Sequence, residues 1–189
     1  MQLWNTLNKE ELETKLRELG HHFITISFYQ YATIAHPRLF RDHLFQMWTK
    51  FNVVGRTYIA HEGINAQISV PSDHIGQFRE ELYEIDFLKG VRLNFAVEDS
   101  AAEFPFIKLK IKVRDKILAD GLNDKTFDVR KIGKHLKAEE FNALTNDPET
   151  ILIDFRNHYE HEVGYFKGAI LPDVDTFRDS LPMIEKNYL

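Results

Sequence analysis

Length, composition and charge set the broad class of this chain. Its 189 residues are enough for one domain and part of a second, and a hydrophobic content of 43% predicts a packed core. The net charge of −5 excludes a protein coated in basic charge but allows a local basic strip, and the absence of cysteine excludes disulfides and thiolate chemistry in these residues. No apolar run is long enough to span a membrane and the first residues lack a signal-peptide pattern, so we expect a cytoplasmic protein with no membrane partner.

The first predicted element is a short helix within residues 1–20. Asn8 is a favoured N-cap residue, and Glu11 three positions later completes a capping box. Leucines follow at helical spacing, and Gly20 is a typical C-terminal stop. The leucines form one apolar stripe, which predicts that this helix packs on another part of the protein.

Residues 21–100 show strand and helix patterns in the order strand, helix, strand, strand, helix, strand. Aromatic and β-branched residues predict the first strand over 23–31, Ser72 is expected to cap the second helix, and the fourth strand is expected over 91–97. This order predicts a ferredoxin-like α+β domain (βαββαβ), whose antiparallel sheet carries two helices on one face. Acylphosphatases share this fold, but the first connection here lacks their glycine-rich anion loop.

A basic strand stands out in the next segment, residues 101–132, which we otherwise expect to be a linker. Cations alternate with apolar residues, so a strand would carry the cations on one face and the apolar residues on the other. The cations are Lys108, Lys110, Lys112 and Arg114. A row of like charges favours an anion along it, and a nucleic-acid backbone is a natural candidate. An edge strand that uses lysine to prevent aggregation explains the pattern equally well.

Polar side chains also gather around the hairpin predicted near residue 63. They are Arg56, Tyr58, Glu62, Asn65 and Gln67. Arginine could hold a phosphate, tyrosine could stack on a base, and the amides could read a base edge, so these residues are candidates for RNA binding. Considered alone, the stretch is explained better by ordinary hairpin chemistry, in which glycine makes the turn and asparagine bonds locally.

A second domain is predicted over residues 133–189. A short helix over 137–144 precedes an apolar run, 151–153, which is typical of a buried parallel strand, and site residues gather beyond the ends of such strands. Asp154 and Arg156 follow this run. We expect Arg156 to pair with a nearby carboxylate, such as Glu160, and to fix the loop rather than to catalyse a reaction.

Other chemistry is poorly supported by the sequence. His158 and His161, with Glu162, are irregularly spaced, so a solvated polar turn explains them better than a metal site. We therefore expect no metal and see no evident cofactor. There is no Ser-His-Asp or phosphate-loop pattern, and without cysteine no residue is a convincing nucleophile.

These segments together resemble the rhodanese-related tRNA uridine hydroxylases. The resemblance covers nearly the whole chain and is carried by residues 55–67, 108–114, 153–160 and 164–169. It implies oxygen-dependent 5-hydroxylation of uridine 34, with molecular oxygen as co-substrate and the anticodon arm of tRNA as partner. It also implies that the second domain is an incomplete α/β rhodanese-like domain, whose pocket Asp154, Arg156 and Glu160 support.

The family's essential cysteine is expected in a loop beyond Leu189, so the resemblance implies no catalytic residue in this chain and an inactive fragment. A rhodanese sheet without its later strands would expose an apolar edge, through which we expect self-association. Two other functions stay open. A rhodanese-type sulfurtransferase would be identified by the cysteine loop and by thiosulfate–cyanide activity, and a non-catalytic RNA-binding module by salt-dependent tRNA binding alone.

Overall fold

The computed structural model describes residues 7–20, 22–96, 104–118, 131 and 133–188. The chain divides into two compact units, Met1–Leu118 (the first unit) and Ala119–Leu189 (the second unit). The first unit therefore includes the basic strand and extends beyond the boundary expected near residue 100.

A five-stranded sheet forms the centre of the first unit. Its strands are β1 (Phe23–Tyr31), β2 (Val54–Ala60), β3 (Gly63–Pro71), β4 (Asn94–Phe95) and β5 (Leu109–Val113). They lie in the order β4-β1-β3-β2-β5. The first four pair antiparallel, as the ferredoxin-like prediction requires, whereas β5 is an additional edge strand that runs parallel to β2.

Three α-helices accompany the sheet, namely α1 (Lys9–Leu19), α2 (Pro37–Lys50) and α3 (Ile75–Tyr83), and a short 3₁₀ helix spans Asp86–Leu88. The capping box predicted for α1 is confirmed. The backbone N–H of Asn8 donates to Glu11 Oε2 at 2.8 Å, and that of Glu11 donates to Asn8 Oδ1 at 3.0 Å. Gly20 ends the helix in the left-handed conformation, with φ of 62°.

Two local predictions in the first unit are wrong. Ser72 does not cap α3, because a turn separates it from the helix, whose N-cap residue is His74. The N–H of Ser72 donates instead to the carbonyl of His22. The fourth strand is shorter than the predicted span of 91–97, since only Asn94–Phe95 pairs with β1 as a strand. Val97 lies outside the described residues.

The core of the first unit lies between one face of the sheet and the helices α2 and α3. Alternate residues of the strands point into it, and Ile26, Phe28 and Ile64 are at most 1% exposed. From the helices, Trp48 and Phe78 meet with ring centroids 5.8 Å apart, and both side chains are fully buried. Complete burial of one such side chain contributes about 1.5–3 kcal/mol, so this face of the sheet is firmly held.

The β1–β3 pair requires glycine at one position. Gly63 has φ of 150°, and a Cβ atom built on it would lie 2.2 Å from the carbonyl oxygen of Gln30. No side chain fits at that distance, so Gly63 lets the backbones of β1 and β3 approach each other.

The second unit contains the helices α4 (Ala138–Thr145), α5 (His158–His161) and α6 (Phe177–Tyr188). The helix predicted over 137–144 is confirmed as α4. The strand predicted over 151–153 is wrong, because Ile153 makes only one isolated parallel bridge, to Ile170, and Ile151 is 58% exposed. A single bridge lacks the neighbouring strands that would bury an apolar run on both faces.

Candidate functional site

The face of the sheet opposite α2 and α3, called the open face below, carries polar, aromatic and basic side chains. Side chains alternate across a strand, so the partners of each exposed residue lie beside it on the same face. The strand register sorts the open face into two rows, which run across the strands from β1 to β5.

The first row combines hydroxyl, amide and basic groups. Ser27 pairs with Gln67, Gln67 with Arg56, and Arg56 with Lys110. Asn94 of β4 extends the row beyond Ser27. One Nη of Arg56 donates to Gln67 Oε1 at 3.5 Å, a long bond that leaves most donors of the guanidinium available to a ligand.

The second row combines two tyrosines, an amide and a lysine. Tyr29 pairs with Asn65, Asn65 with Tyr58, and Tyr58 with Lys112. Arg114 follows β5 and places its guanidinium carbon 5.6 Å from the centroid of the Tyr58 ring, a cation–π contact. The row therefore offers flat rings for stacking and cations at one end.

Positive charge accumulates on the β5 side of the open face. The residues that carry it are Arg56, Lys110, Lys112 and Arg114, and no acidic residue alternates with them in the described strands. Lys108 precedes the paired part of β5. Lys108, Lys110 and Lys112 form no salt bridge with any acidic residue that the structure describes. Uncompensated cations in a row favour a polyanionic ligand, although the net charge of the chain is negative.

Glu62 and Asn65 have a structural role that the sequence did not show. Glu62 Oε1 accepts the backbone N–H of Ile117 at 2.8 Å, and Asn65 Nδ2 donates to the carbonyl of Ile117 at 3.4 Å. Ile117 is buried. These bonds hold the chain just after β5 against the β2–β3 hairpin, and so help to position Arg114.

Besides Asn94, three residues of the open face were not selected as candidates from the sequence. They are Ser27, Tyr29 and Tyr31 of β1. The alternation of residues within 23–31 places them on one face, opposite the buried Ile26 and Phe28, and this alternation is visible in the sequence. Their proximity to Asn65 and Gln67 is not visible in the sequence, because it depends on the pairing of β1 with β3.

The second unit brings Asp154 and Arg156 together. Arg156 Nη2 donates to Asp154 Oδ2 at 2.6 Å, its Nε donates to Oδ1 at 3.0 Å, and Nη2 also reaches the carbonyl of Gly164 at 2.7 Å. The expected partner Glu160 serves another purpose, since its carboxylate accepts the N–H of Asn157 at the start of α5. The bidentate pair fixes the loop after Ile153, which is the architectural role expected of Arg156.

The charges of this pair stabilise one another. Hydrogen bonds from Arg156 lower the pKa of Asp154 from 3.8 to about 2, and the same bonds raise the pKa of Arg156. The buried His161 places Nε2 3.7 Å from Asp154 Oδ1, too far for a hydrogen bond. Asp154 is therefore ionised at neutral pH and acts as an anchor.

Clusters of metal-ligating side chains and membrane-spanning helices are both absent from the residues that the structure describes. Among residues 7–20, 22–96, 104–118, 131 and 133–188, no group of three or more histidine and acidic side chains is arranged to hold a metal ion. In the same part of the chain, no helix is long and apolar enough to cross a membrane.

Comparison with known proteins gives a family match and close relatives. Residues 23–117 match the model of the UPF0176 acylphosphatase like domain. The chain is 50% identical over 181 residues to proteins of Salmonella heidelberg (strain SL476) and Salmonella typhimurium (strain LT2), and 49% identical to one of Salmonella dublin. Each is named tRNA uridine(34) hydroxylase. The alignments cover 95% of this chain and 51% of each relative, so the chain spans about half the length of the curated relatives it matches.

Proposed function

The chain belongs to the UPF0176 family, and from this membership we propose that it is the RNA-binding part of an enzyme that hydroxylates uridine 34 of tRNA. The observation that carries the proposal is the open face, whose cations, amides and aromatic rings lie in register across four strands. A tRNA substrate implies a cytoplasmic protein.

The open face suits the anticodon arm of tRNA. Lysines at alternate positions of β5 are about 6.6 Å apart and can follow successive phosphates, while Arg56 offers a forked donor to another. Amides and rings of the neighbouring strands are placed to contact bases between the phosphates. The role of this surface is to bind the substrate and to orient the uridine.

The reaction itself would use molecular oxygen as co-substrate. No thiolate is available in residues 1–189, because the sequence contains no cysteine. We therefore assign no catalytic residue to these positions and expect residues 1–189 alone to leave tRNA unmodified. Formation of 5-hydroxyuridine by this chain, detected by mass spectrometry of digested tRNA, would contradict that expectation.

We assign the second unit to the start of a rhodanese-like domain, with Asp154, Arg156 and Glu160 supporting one wall of its pocket. Exposed apolar side chains support self-association of this unit; they include Ile151, Val163, Tyr165 and Phe166. Light scattering at rising protein concentration tests the self-association, and a monomer at all concentrations would contradict it.

RNA binding by the open face can be tested by salt dependence. For Lys110→Ala, the slope of log affinity against log salt should fall by about 0.7, because one fewer phosphate of a single strand is neutralised. The probe is an RNA stem–loop with the sequence of a tRNA anticodon arm, and fluorescence anisotropy gives its affinity.

Lys50→Ala is the matched control, since Lys50 ends α2 on the opposite side of the sheet. Its salt slope should equal that of the unmodified chain. Equal slopes for Lys110→Ala and Lys50→Ala would show that the basic strand does not contact phosphate.

A further inference from the structure

We propose that Tyr29 is a stacking platform for an unpaired base, so that the open face selects single-stranded loop nucleotides over duplex RNA. This inference rests on the proposed function in taking RNA as the ligand. Beyond the proposed function, it specifies that the bound RNA is single-stranded and that Tyr29 positions one of its bases.

The exposure of Tyr29 is the first observation. Tyr29 lies on the open face of the nine-residue β1, and 62% of it is exposed. Strand β4 pairs only with Ile26 and Ser27, so β3 is the one strand that flanks β1 at Tyr29 among the described residues. Tyr31 meets it edge to face, with ring centroids 6.4 Å apart. The neighbouring ring restricts the orientation of Tyr29, so the platform is partly organised before a ligand arrives.

The neighbours of Tyr29 are the second observation. Asn65 lies one strand away, and Tyr58 lies two strands away, or about 10 Å at the usual strand spacing. Arg114 contacts the ring of Tyr58. Asn65 Nδ2 bonds the carbonyl of Ile117, so its Oδ1 is the atom that can accept a hydrogen bond from the edge of a base stacked on a neighbouring ring. Lys112 at the end of the row can hold the phosphate.

This arrangement fits an unpaired base and not a paired one. In a duplex the base faces are covered by their neighbours, so a ring on a flat sheet cannot reach them. In a loop the bases can be splayed out and laid on aromatic side chains, and such stacking tolerates any base. The ligand class is therefore a single-stranded RNA segment.

A second copy of the chain is a weaker candidate for this face. A two-fold interface would place the same surface against itself. Whichever part of that face met the cations of the β5 side, the described strands would offer them no acidic residue. RNA supplies the opposite charge.

Binding of two RNA probes tests the inference. The first probe is the anticodon stem–loop, and the second is a fully paired RNA duplex of equal length. Tyr29→Ala should weaken binding of the stem–loop by roughly 5- to 150-fold, the range found for loss of one stacked base, and leave binding of the duplex unchanged. Its salt slope should stay that of the unmodified chain, because no phosphate contact is lost.

Three variants control for structure. Tyr29→Phe keeps the ring and should bind the stem–loop within about two-fold of the unmodified chain. Tyr29→Val keeps a residue that favours strands, and should weaken binding as Tyr29→Ala does, even if alanine loosens β1. Phe95→Ala removes an exposed ring from the opposite face, since Phe95 pairs with the buried Ile26, and should not change binding.

The outcomes separate this inference from the proposed function. If the stem–loop binds with the salt slope expected of the lysines but Tyr29→Ala and Tyr29→Val bind it normally, the stacking platform is refuted and the basic strand stands. If Tyr29→Ala and Tyr29→Val weaken binding of the duplex as much as binding of the stem–loop, selection of unpaired bases is refuted. A change in oligomeric state with no change in RNA affinity assigns the face to self-association and overturns the inference.

Discussion

The two units of this protein differ in how their residues are held. In the first unit, buried rings and aliphatic side chains fill the space between a five-stranded sheet and two helices. In the described part of the second unit, Ile153 and Ile170 form one isolated bridge, and exposed apolar side chains are numerous. Local ion pairs and caps, such as that between Asp154 and Arg156, fix the conformation there.

The difference teaches that a specific motif and a stable core are separate properties. The segment that follows Ile153 carries the closely bonded pair Asp154 and Arg156, yet the first unit has the larger hydrophobic core. The first unit can therefore hold a flat binding surface rigidly, because the opposite face of the same strands is anchored in that core.

The largest expected effect is the loss of a core ring from the first unit. Phe78 is fully buried and packs against Trp48 and Phe51. Phe78→Ala should lower the free energy of unfolding by about 3–5 kcal/mol, because it removes apolar contacts and leaves a cavity. Urea unfolding, with hydrogen exchange to follow each unit separately, measures the effect.

Ile184→Ala is the corresponding truncation in the second unit, where Ile184 is buried but lies outside the large hydrophobic core cluster. Its cost should be near the low end for this substitution, about 2 kcal/mol. Equal costs at Phe78 and Ile184 would break the comparison between the units. Leu39→Ala, which truncates an exposed side chain, should change stability by less than about 0.5 kcal/mol.

A smaller effect is expected from closing the gap at Gly63. Gly63→Ala should destabilise the first unit by about 2 kcal/mol or more, since the added Cβ would meet the carbonyl of Gln30 and the backbone conformation favours glycine. Thermal unfolding measures the change.

Gly76→Ala is the matched control in α3, because nothing lies within 4 Å of the added Cβ. This variant should stabilise the protein by about 0.5–1 kcal/mol, since alanine favours a helix more than glycine does. A Gly63→Ala variant as stable as Gly76→Ala would show that β1 and β3 do not approach as closely as described.

The smallest effect concerns the ion pair of the second unit. The pKa of Asp154 is lower in the folded chain, at about 2, than the 3.8 of an unperturbed aspartate. Its contribution to stability is therefore fully present above pH 3.8 and is lost as the pH falls through about 2. After allowance for solvent screening, acidification across this window should cost on the order of 1 kcal/mol.

Urea unfolding at several pH values, followed by NMR signals of the second unit, measures this dependence. Asp154→Asn should flatten it, whereas Asp173→Asn, which changes an exposed carboxylate, should not. A pH dependence that survives Asp154→Asn would assign the effect to other carboxylates.

Local order in this protein was determined by the sequence alone. The capping box of α1, the span of β1 and the alternation of cations with apolar residues in β5 all follow from spacing within one short segment. Helical and strand periods, caps and glycine stops act between residues close in the chain, so they can be read without knowledge of distant partners. The run 151–153 shows the limit, since it has the composition of a strand but lacks the neighbours that make one.

Only the tertiary structure decided which residues form a surface together. The parallel pairing of β5 with β2 sets Lys110 beside Arg56, and the antiparallel pairing of β1 with β3 brings Tyr29 to Asn65. The folded structure also pairs Arg156 with Asp154 rather than with Glu160. Strand register between distant segments depends on which faces bury the most apolar surface together, and that is a property of the whole packed core.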